Sequence, residues 1–293
     1  MCVVTDYAHS QTPGTIVTVA GDGFTGQGGG GRYAGDGGLA TLASFNRPHG
    51  VVGDTHGNLY VSDRDNARIR KNTPDGVITT IMEEVTDPYG MCLDALGNLY
   101  VASRGTSRVF QIDTLGLVRI VAGGGNPIDG FGDGRPATEA KLNEPTDVAI
   151  DSSFVLYIAD SADQRIRKVT PNGIITTVAG IGPTGQGQGG FSGDGGPATA
   201  ARLSNPQGLF FDSQGNLYIV DSSNARIRRI NQQGIITTVV GGGSVEQGEG
   251  GQATDANLGG FPSDGCVDQD GNIYFSMFIG SHQLVRKVII RGS

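Results

Sequence analysis

Four short apolar runs, separated by polar turns, repeat along the chain. In the clearest copy the runs are residues 209–211, 217–220, 226–230 and 235–240. Between them lie Asp212-Ser213-Gln214-Gly215-Asn216, Asp221-Ser222-Ser223-Asn224 and Asn231-Gln232-Gln233-Gly234. The third run alternates charge with Ile, and the fourth is rich in β-branched residues. Each run predicts a strand, and each turn a reversal between antiparallel neighbours. The same unit recurs at 48–82, 88–123, 145–180 and 206–241, and a fifth begins at Pro262. A meander repeated in this way predicts an all-β radial array, a β-propeller of five four-stranded blades. The fifth unit reaches Ser293 with sequence for three strands, whereas Gly14-Thr15-Ile16-Val17-Thr18-Val19-Ala20-Gly21 duplicates a fourth strand with no unit before it. The expectation is that Thr15, Ile16, Val17, Thr18 and Val19 complete the C-terminal blade. Residues 1–13 are then an N-terminal extension, and 14–293 one propeller domain.

Inserts precede four of the units. They carry Gly35-Asp36-Gly37-Gly38, Gly132-Asp133-Gly134-Arg135, Gly193-Asp194-Gly195-Gly196 and Gly250-Gly251-Gln252-Ala253, each followed by Ala and Leu at helical spacing. Each predicts a Gly-rich turn and about two turns of helix. Only the link at 83–87 is short. Every insert joins a fourth strand to the next first strand, so the inserts share one face.

Composition narrows the function. Gly makes up 50 of 293 residues without a three-residue period, which signals turns and excludes collagen. Charged residues are 17%, and the Ser-, Thr-, Gln- and Gly-rich remainder leans towards an extracellular or periplasmic surface. A net charge of -8 argues against a phosphate-tracking face, hence against nucleic-acid partners and anionic membranes. No run of 18 apolar residues is present to insert in a membrane, and the first residues lack a signal-peptide pattern, so export requires a signal absent from this chain. Cys2, Cys92 and Cys266 form no CxxC pair; Cys92 and Cys266 fall on first strands, where a small buried residue is expected, and Cys2 is open to pairing.

The first strands start after prolines, which places His49, Tyr89, Asp147, Gln207 and Asp264 at the expected channel mouth. Asp147 and Asp264 replace the Gly of other units. A His with two carboxylates suits a divalent metal or acid–base chemistry; the simpler reading is a polar, water-filled channel. Asp63, Asp160 and Asp221 recur and suit turn amides. Arg68, Arg165 and Arg226 recur and suit bridges to carbonyls or those carboxylates. Asp36, Asp133 and Asp194 suit helix caps or, with one Asp per loop, a thin calcium site. No GxSxG, HExxH or P-loop occurs.

The pattern Pro-x-Gly-Φ-x-Φ-Asp-x-x-Gly-Asn-Leu-Tyr-Val-x-Asp-x-x-Asn-x-Arg-Ile-Arg-Lys, with Gly-Asp-Gly-Gly-Pro-Ala-Thr linkers, resembles the NHL-repeat β-propellers over residues 14–291. These commonly have six blades, where five are counted here. The resemblance implies a ring with a central channel and binding through the loop-bearing faces. It implies no single activity, since the family includes RNA-binding modules, adhesion and sensor ectodomains, and a few lyases and hydrolases. The expectation is a non-catalytic extracellular module that binds a protein or glycan partner, or copies of itself through its N-terminal strand, without a cofactor or resident metal. The alternative is a channel-mouth lyase or hydrolase using His49 with Asp147 and Asp264.

Overall fold

Every Asp-x-x-Gly-Asn-Leu-Tyr run closes the first hairpin of a blade. In the computed structural model, which describes residues 16–23, 31–128, 130–182, 185, 187–246 and 248–289, Asp54 Oδ1 accepts the amides of His56 and Asn58. Its Oδ2 accepts the Asn58 side chain at 2.7 Å and the Tyr60 hydroxyl at 3.1 Å. The same Asx turn recurs at Asp94, Asp212 and Asp268. Its glycine takes positive φ, +81° at Gly57 and +79° at Gly215. In blade three Phe154 stands there instead, at φ +61°.

The fold is all-β and of propeller type, with five blades. Blade one is β1 (Pro48–Gly53), β2 (Leu59–Asp63), β3 (Arg68–Asn72) and β4 (Ile78–Met82). Blade two is β5 (Pro88–Leu93), β6 (Leu99–Ser103), β7 (Arg108–Ile112) and β8 (Val118–Gly123). Blade three is β9 (Pro145–Ile150), β10 (Leu156–Asp160), β11 (Arg165–Val169) and β12 (Ile175–Ala179). Blade four is β13 (Pro206–Phe211), β14 (Leu217–Asp221), β15 (Arg226–Ile230) and β16 (Ile236–Gly241). A short parallel pair, β17 (Val245–Glu246) with β18 (Ala256–Asn257), lies in the following insert. Blade five is β19 (Phe261–Val267), β20 (Ile273–Ile279) and β21 (His282–Val288). Four sheets are meanders of four strands in sequence order, and the fifth has three strands among the described residues.

Two compact units divide the chain, one of residues 1–106 and 110–119, the other of 107–109 and 120–293. The core of the first includes Ile69, Met82, Val85, Leu99, Val101 and Ile112, packed between blades one and two. The second has one layer where blade three meets blade four, around Ile166, Leu203, Ile219 and Ile236. A further layer where blade four meets blade five holds Ile227, Val240, Leu258 and Phe275. Blade faces are apolar because adjacent blades bury them, so the alternation expected of a half-solvated sheet is absent.

One expectation is corrected here. The insert helices shrink to single 3-10 turns, Ala40–Leu42, Ala137–Glu139 and Ala198–Ala200. Alanines three apart, such as Ala40 and Ala43, both enter the core from one such turn, and the chain then leaves extended. Ile16, Val17, Thr18 and Val19 are described in extended, exposed chain, and blade five has three strands among the described residues, β21 being the last of them. Thr15 lies outside the described residues, as do Cys2 and residues 1–13. The main chain just beyond is held by the first insert instead, Gly21 N–H to Ala40 O and Asp22 N–H to Ala43 O, both 2.8 Å. Cys266 is exposed and Cys92 half-buried, because the first strands are less covered than the strands behind them.

Candidate functional site

Three fully buried arginines organise the inserts. Arg70, Arg167 and Arg228 occupy the third position of β3, β11 and β15. One side of each guanidinium faces a buried carboxylate at the end of the second strand, Asp63, Asp160 or Asp221, at 3.4–3.6 Å. Its Nη2 donates at 2.6 Å to Asp36, Asp133 or Asp194, the aspartate of the Gly-Asp-Gly loop. Two insert carbonyls complete the fork, as with Ser192 O and Arg202 O for Arg228. Asp63, Asp160 and Asp221 also accept an insert amide each, from Asn46, Asn143 and Ser204. A planar five-donor cation suits this cage, and an ammonium does not. Burial pushes the Asp194 carboxyl up, but hydrogen bonds from Thr238 and Arg228 outweigh it and hold it below the usual carboxylate range.

The loop aspartates therefore serve neither as helix caps nor as an open calcium site; their oxygens are directed at arginine, and the caps of the short turns carry no side-chain hydrogen bond. The arginines expected to bridge, Arg68, Arg165 and Arg226, bond carbonyls of their own turns. They lie over the insert rings of Tyr33, Phe131 and Phe191 at 3.8–4.0 Å. Sequence reasoning missed the second Arg of Arg-Ile-Arg, although its recurrence two residues on was in view.

The fastening and the inserts vary together. Blade two follows the short link and has Ser103 and Phe110 where blades one, three and four have Asp and Arg. Blade five keeps the arginine as Arg286, which pairs at 2.6 Å with Glu249 of its Gly-Glu-Gly loop. The inserts of blades one, three and four also cover the outer edge of their own blades: Gly195 N–H bonds Ile236 O at 2.8 Å, and Ile236 N–H bonds Gly196 O. Among the described residues blade two has no such cover. Leu96, Leu115 and Leu117, in its two adjoining turns, are 68%, 92% and 63% exposed.

The first-strand residues group within units. In the first, the His49 ring stacks on Tyr89 with centroids 3.6 Å apart, and Arg64 and Arg104 lie over the same tyrosine while both pair with Asp87. Crowding and the two guanidinium charges lower the His49 pKa to about 4, against the pull of Asp87. The ring retains solvent on one side, which moderates that burial, and it is neutral at pH 7. In the second unit Asp147 is buried and accepts the Leu209 amide at 2.7 Å. Burial, then the charge of Asp264, drives its pKa well above the usual range. Asp264 is crowded by protein and raised to about 6, although its side chain still touches solvent and so keeps part of its hydration. Gly208 separates the pair: a Cβ there meets Asp264 Oδ1 at 2.9 Å. Gln207 lends its carbonyl to Thr146 Oγ1. Among the described residues no three His, Cys, Asp or Glu side chains come together as metal ligands, and no helix is long and apolar enough to cross a membrane.

Comparison with known proteins places this architecture. The sequence profile of the teneurin NHL domain matches residues 69–188 and 183–249, and that of the NHL repeat matches residues 45–71. Human Teneurin-1 is 32% identical over 238 residues, covering 68% of this chain but 8% of its own length. This chain thus spans a small part of that relative. The virginiamycin B lyase of Staphylococcus aureus aligns with a TM-score of 0.54 at 14% identity, over 84% of this chain and 70% of its own. An auxiliary nutrient binding protein of Bacteroides ovatus gives 0.60 at 15% identity, over 79% and 56%. At such identities these two likenesses are of fold alone. By its repeats, its blades and these profiles, the chain belongs to the NHL-repeat β-propellers, in the family of the teneurin NHL domain.

Proposed function

We propose that the protein is a non-catalytic, extracellular or periplasmic propeller that binds a protein or glycan partner. The observation that carries this is the apolar surface of blade two. Leu96, Leu115 and Leu117 protrude from turns that in blade four are Ser213-Gln214 and Gln232-Gln233. Three exposed leucines in two turns of one blade suit a contact surface, and tight hairpins cost little entropy on binding. The relationship to teneurins supports an outward-facing interaction module. The polar first-strand residues serve in this reading as secondary binding groups, His49 and Tyr89 in the first unit and Asp147, Gln207 and Asp264 in the second.

The test is a binding screen against an array of extracellular proteins and glycans, comparing the parent with Leu115→Asp/Leu117→Asp. Partner affinity is expected to fall at least tenfold with the melting temperature unchanged. Partners bound equally by both proteins would sink the assignment of this surface.

The Asp147–Asp264 pair favours a second reading, a lyase or hydrolase in which two carboxyls with raised pKa values share acid–base work. Turnover of a panel of esters and lactones, abolished in both Asp147→Asn and Asp264→Asn, is its signature. No turnover by the parent protein discards it.

A further inference from the structure

The turn after the second strand ends in Asn66 in blade one, Asp163 in blade three and Asn224 in blade four. Its backbone is the same in all three. Each forms a single 3-10 turn followed by a residue at positive φ, +53°, +56° and +52°. Each also offers its last carbonyl to the next arginine, Arg68, Arg165 or Arg226, at 2.6–2.8 Å. In blades one and four the asparagine amide donates to the buried carboxylate that closes the second strand. Asn66 Nδ2 reaches Asp63 Oδ2 at 2.9 Å, and Asn224 Nδ2 reaches Asp221 Oδ2 at 2.8 Å.

Blade three places a second carboxyl in the position of that amide. Asp160 and Asp163 are both fully buried. Both hold the insert through one residue: Asn143 N–H donates to Asp160 Oδ1 at 2.7 Å, and Asn143 Nδ2 donates to Asp163 Oδ1 at 2.9 Å. Among the described residues no donor reaches Asp163 Oδ2. An ionised oxygen left so in a buried site is costly.

Charge counting leads to the same place. The groups that bear on the pair are Asp133 of the insert and Arg165 and Arg167 of β11, while Lys141 of the insert lends Arg167 its carbonyl. Three carboxyls thus face two guanidiniums. In blade four Asp194 and Asp221 face Arg226 and Arg228, two against two. Burial raises the Asp221 pKa to about 6 against the pull of Asn224, whereas burial and then the charge of Asp163 raise that of Asp160 to about 7.

We propose that Asp160 and Asp163 bind one proton between them, which restores the missing hydrogen bond and fastens the insert to blade three. A carboxylic O–H then stands where blades one and four have an amide N–H, and the buried charges balance. Two carboxyls so close titrate as a pair, so the proton belongs to both. The folded pair binds it more tightly than the unfolded chain does. Its contribution is therefore complete below the unfolded carboxylate value and is lost as pH rises through about 7. Above that pH two like charges share one buried space, and Asn143 is the contact they release. The site involves neither the Asp147–Asp264 pair nor the apolar turns of blade two, so it can fail without either.

The test is amide hydrogen exchange of the full chain, corrected for the intrinsic pH dependence of exchange. The probe is the Asn143 amide. The Ser204 amide, its counterpart in blade four at 2.7 Å from Asp221 Oδ1, is the internal reference. Between about pH 5 and about pH 8 Asn143 is expected to lose about tenfold more protection than Ser204, as one pH unit between their carboxyls requires. In Asp163→Asn, which gives blade three the arrangement of blade four, the two amides should lose protection in step. The converse change, Asn224→Asp, should bring the additional loss to Ser204. A parent in which both amides move in step, or an Asp163→Asn protein that keeps the excess loss at Asn143, overturns the proposal. So does added calcium that restores Asn143 protection at about pH 8 in the parent and not in Asp163→Asn, since a metal ion would then take the place of the proton.

Discussion

At the scale of single residues, departures from the repeat carry most of the information. Phe154 occupies the turn position where other blades place glycine, and an L-residue at positive φ costs about 1–2 kcal/mol. Phe154 is 38% exposed and so contributes little burial in return. Phe154→Gly is expected to stabilise the protein by about 1 kcal/mol, read as a higher urea midpoint. The paired carboxyls act in the opposite sense. Asp147 and Asp264 have folded-state pKa values above those of the unfolded chain, so the folded state binds protons more tightly. Their contribution to stability is complete below the unfolded value near pH 4 and is lost as pH rises through the folded values, about 6 for Asp264 and well above the usual range for Asp147. Asp264→Asn is expected to flatten the fall in melting temperature between pH 4 and 7. At pH 8 it should exceed the parent in stability by roughly 1 kcal/mol, the solvent contact of Asp264 having reduced the full effect. A parent whose melting temperature rises over that interval faster than the variant's contradicts this sign.

Between residue and whole lies the element formed by an insert and its blade. Removing Asp194 leaves Arg228 fully buried with Asp221 as its remaining carboxylate. Asp194→Ala is expected to cost about 3 kcal/mol in urea unfolding, the low end for breaking a buried ion pair because Asp194 is partly solvated. Arg228→Met on the Asp194→Ala background should restore part of the loss, since the desolvated cation leaves with its partner. Strands, turns and inserts were legible because periodicity and turn chemistry are local: Asp212, Gly215 and Asn216 announce their turn in five residues. The Arg228–Asp194 contact spans 34 residues and is invisible to any window of that size. The insert helices failed for a related reason. Ala198 and Ala201 show helical spacing, but the pocket that receives them needs a single turn.

Taken as a whole, the molecule is fastened unevenly. Blades one, three and four have both a covered edge and a caged arginine, blade two has neither, and blade five has the arginine but no fourth strand among the described residues. Hydrogen exchange should follow that order: amides of β8 and β21 exchange with low protection, whereas β12 and β16 open only near the global unfolding free energy. Equal protection of all outer strands would show that the inserts contribute nothing to local stability. Blade count and propeller class were readable from the repeat. The grouping of first-strand residues was not, because which residue sits beside which depends on how neighbouring blades pack, and Gly208 alone lets Asp264 approach the strand that bears Leu209.

The caged arginine also defines what is inherited together. A strand-by-strand reading draws the repeat from a first strand to a fourth, yet a blade copied on those borders carries a buried cation and leaves the nearer of its two carboxylates behind. The self-sufficient segment begins earlier, at the aromatic residue of the insert: Tyr33, Phe131 or Phe191. Duplication, deletion or grafting cut at those points moves ring, carboxylate and guanidinium as one piece. Blade two, with its five-residue link 83–87 and its Ser103 and Phe110, shows the whole set absent together.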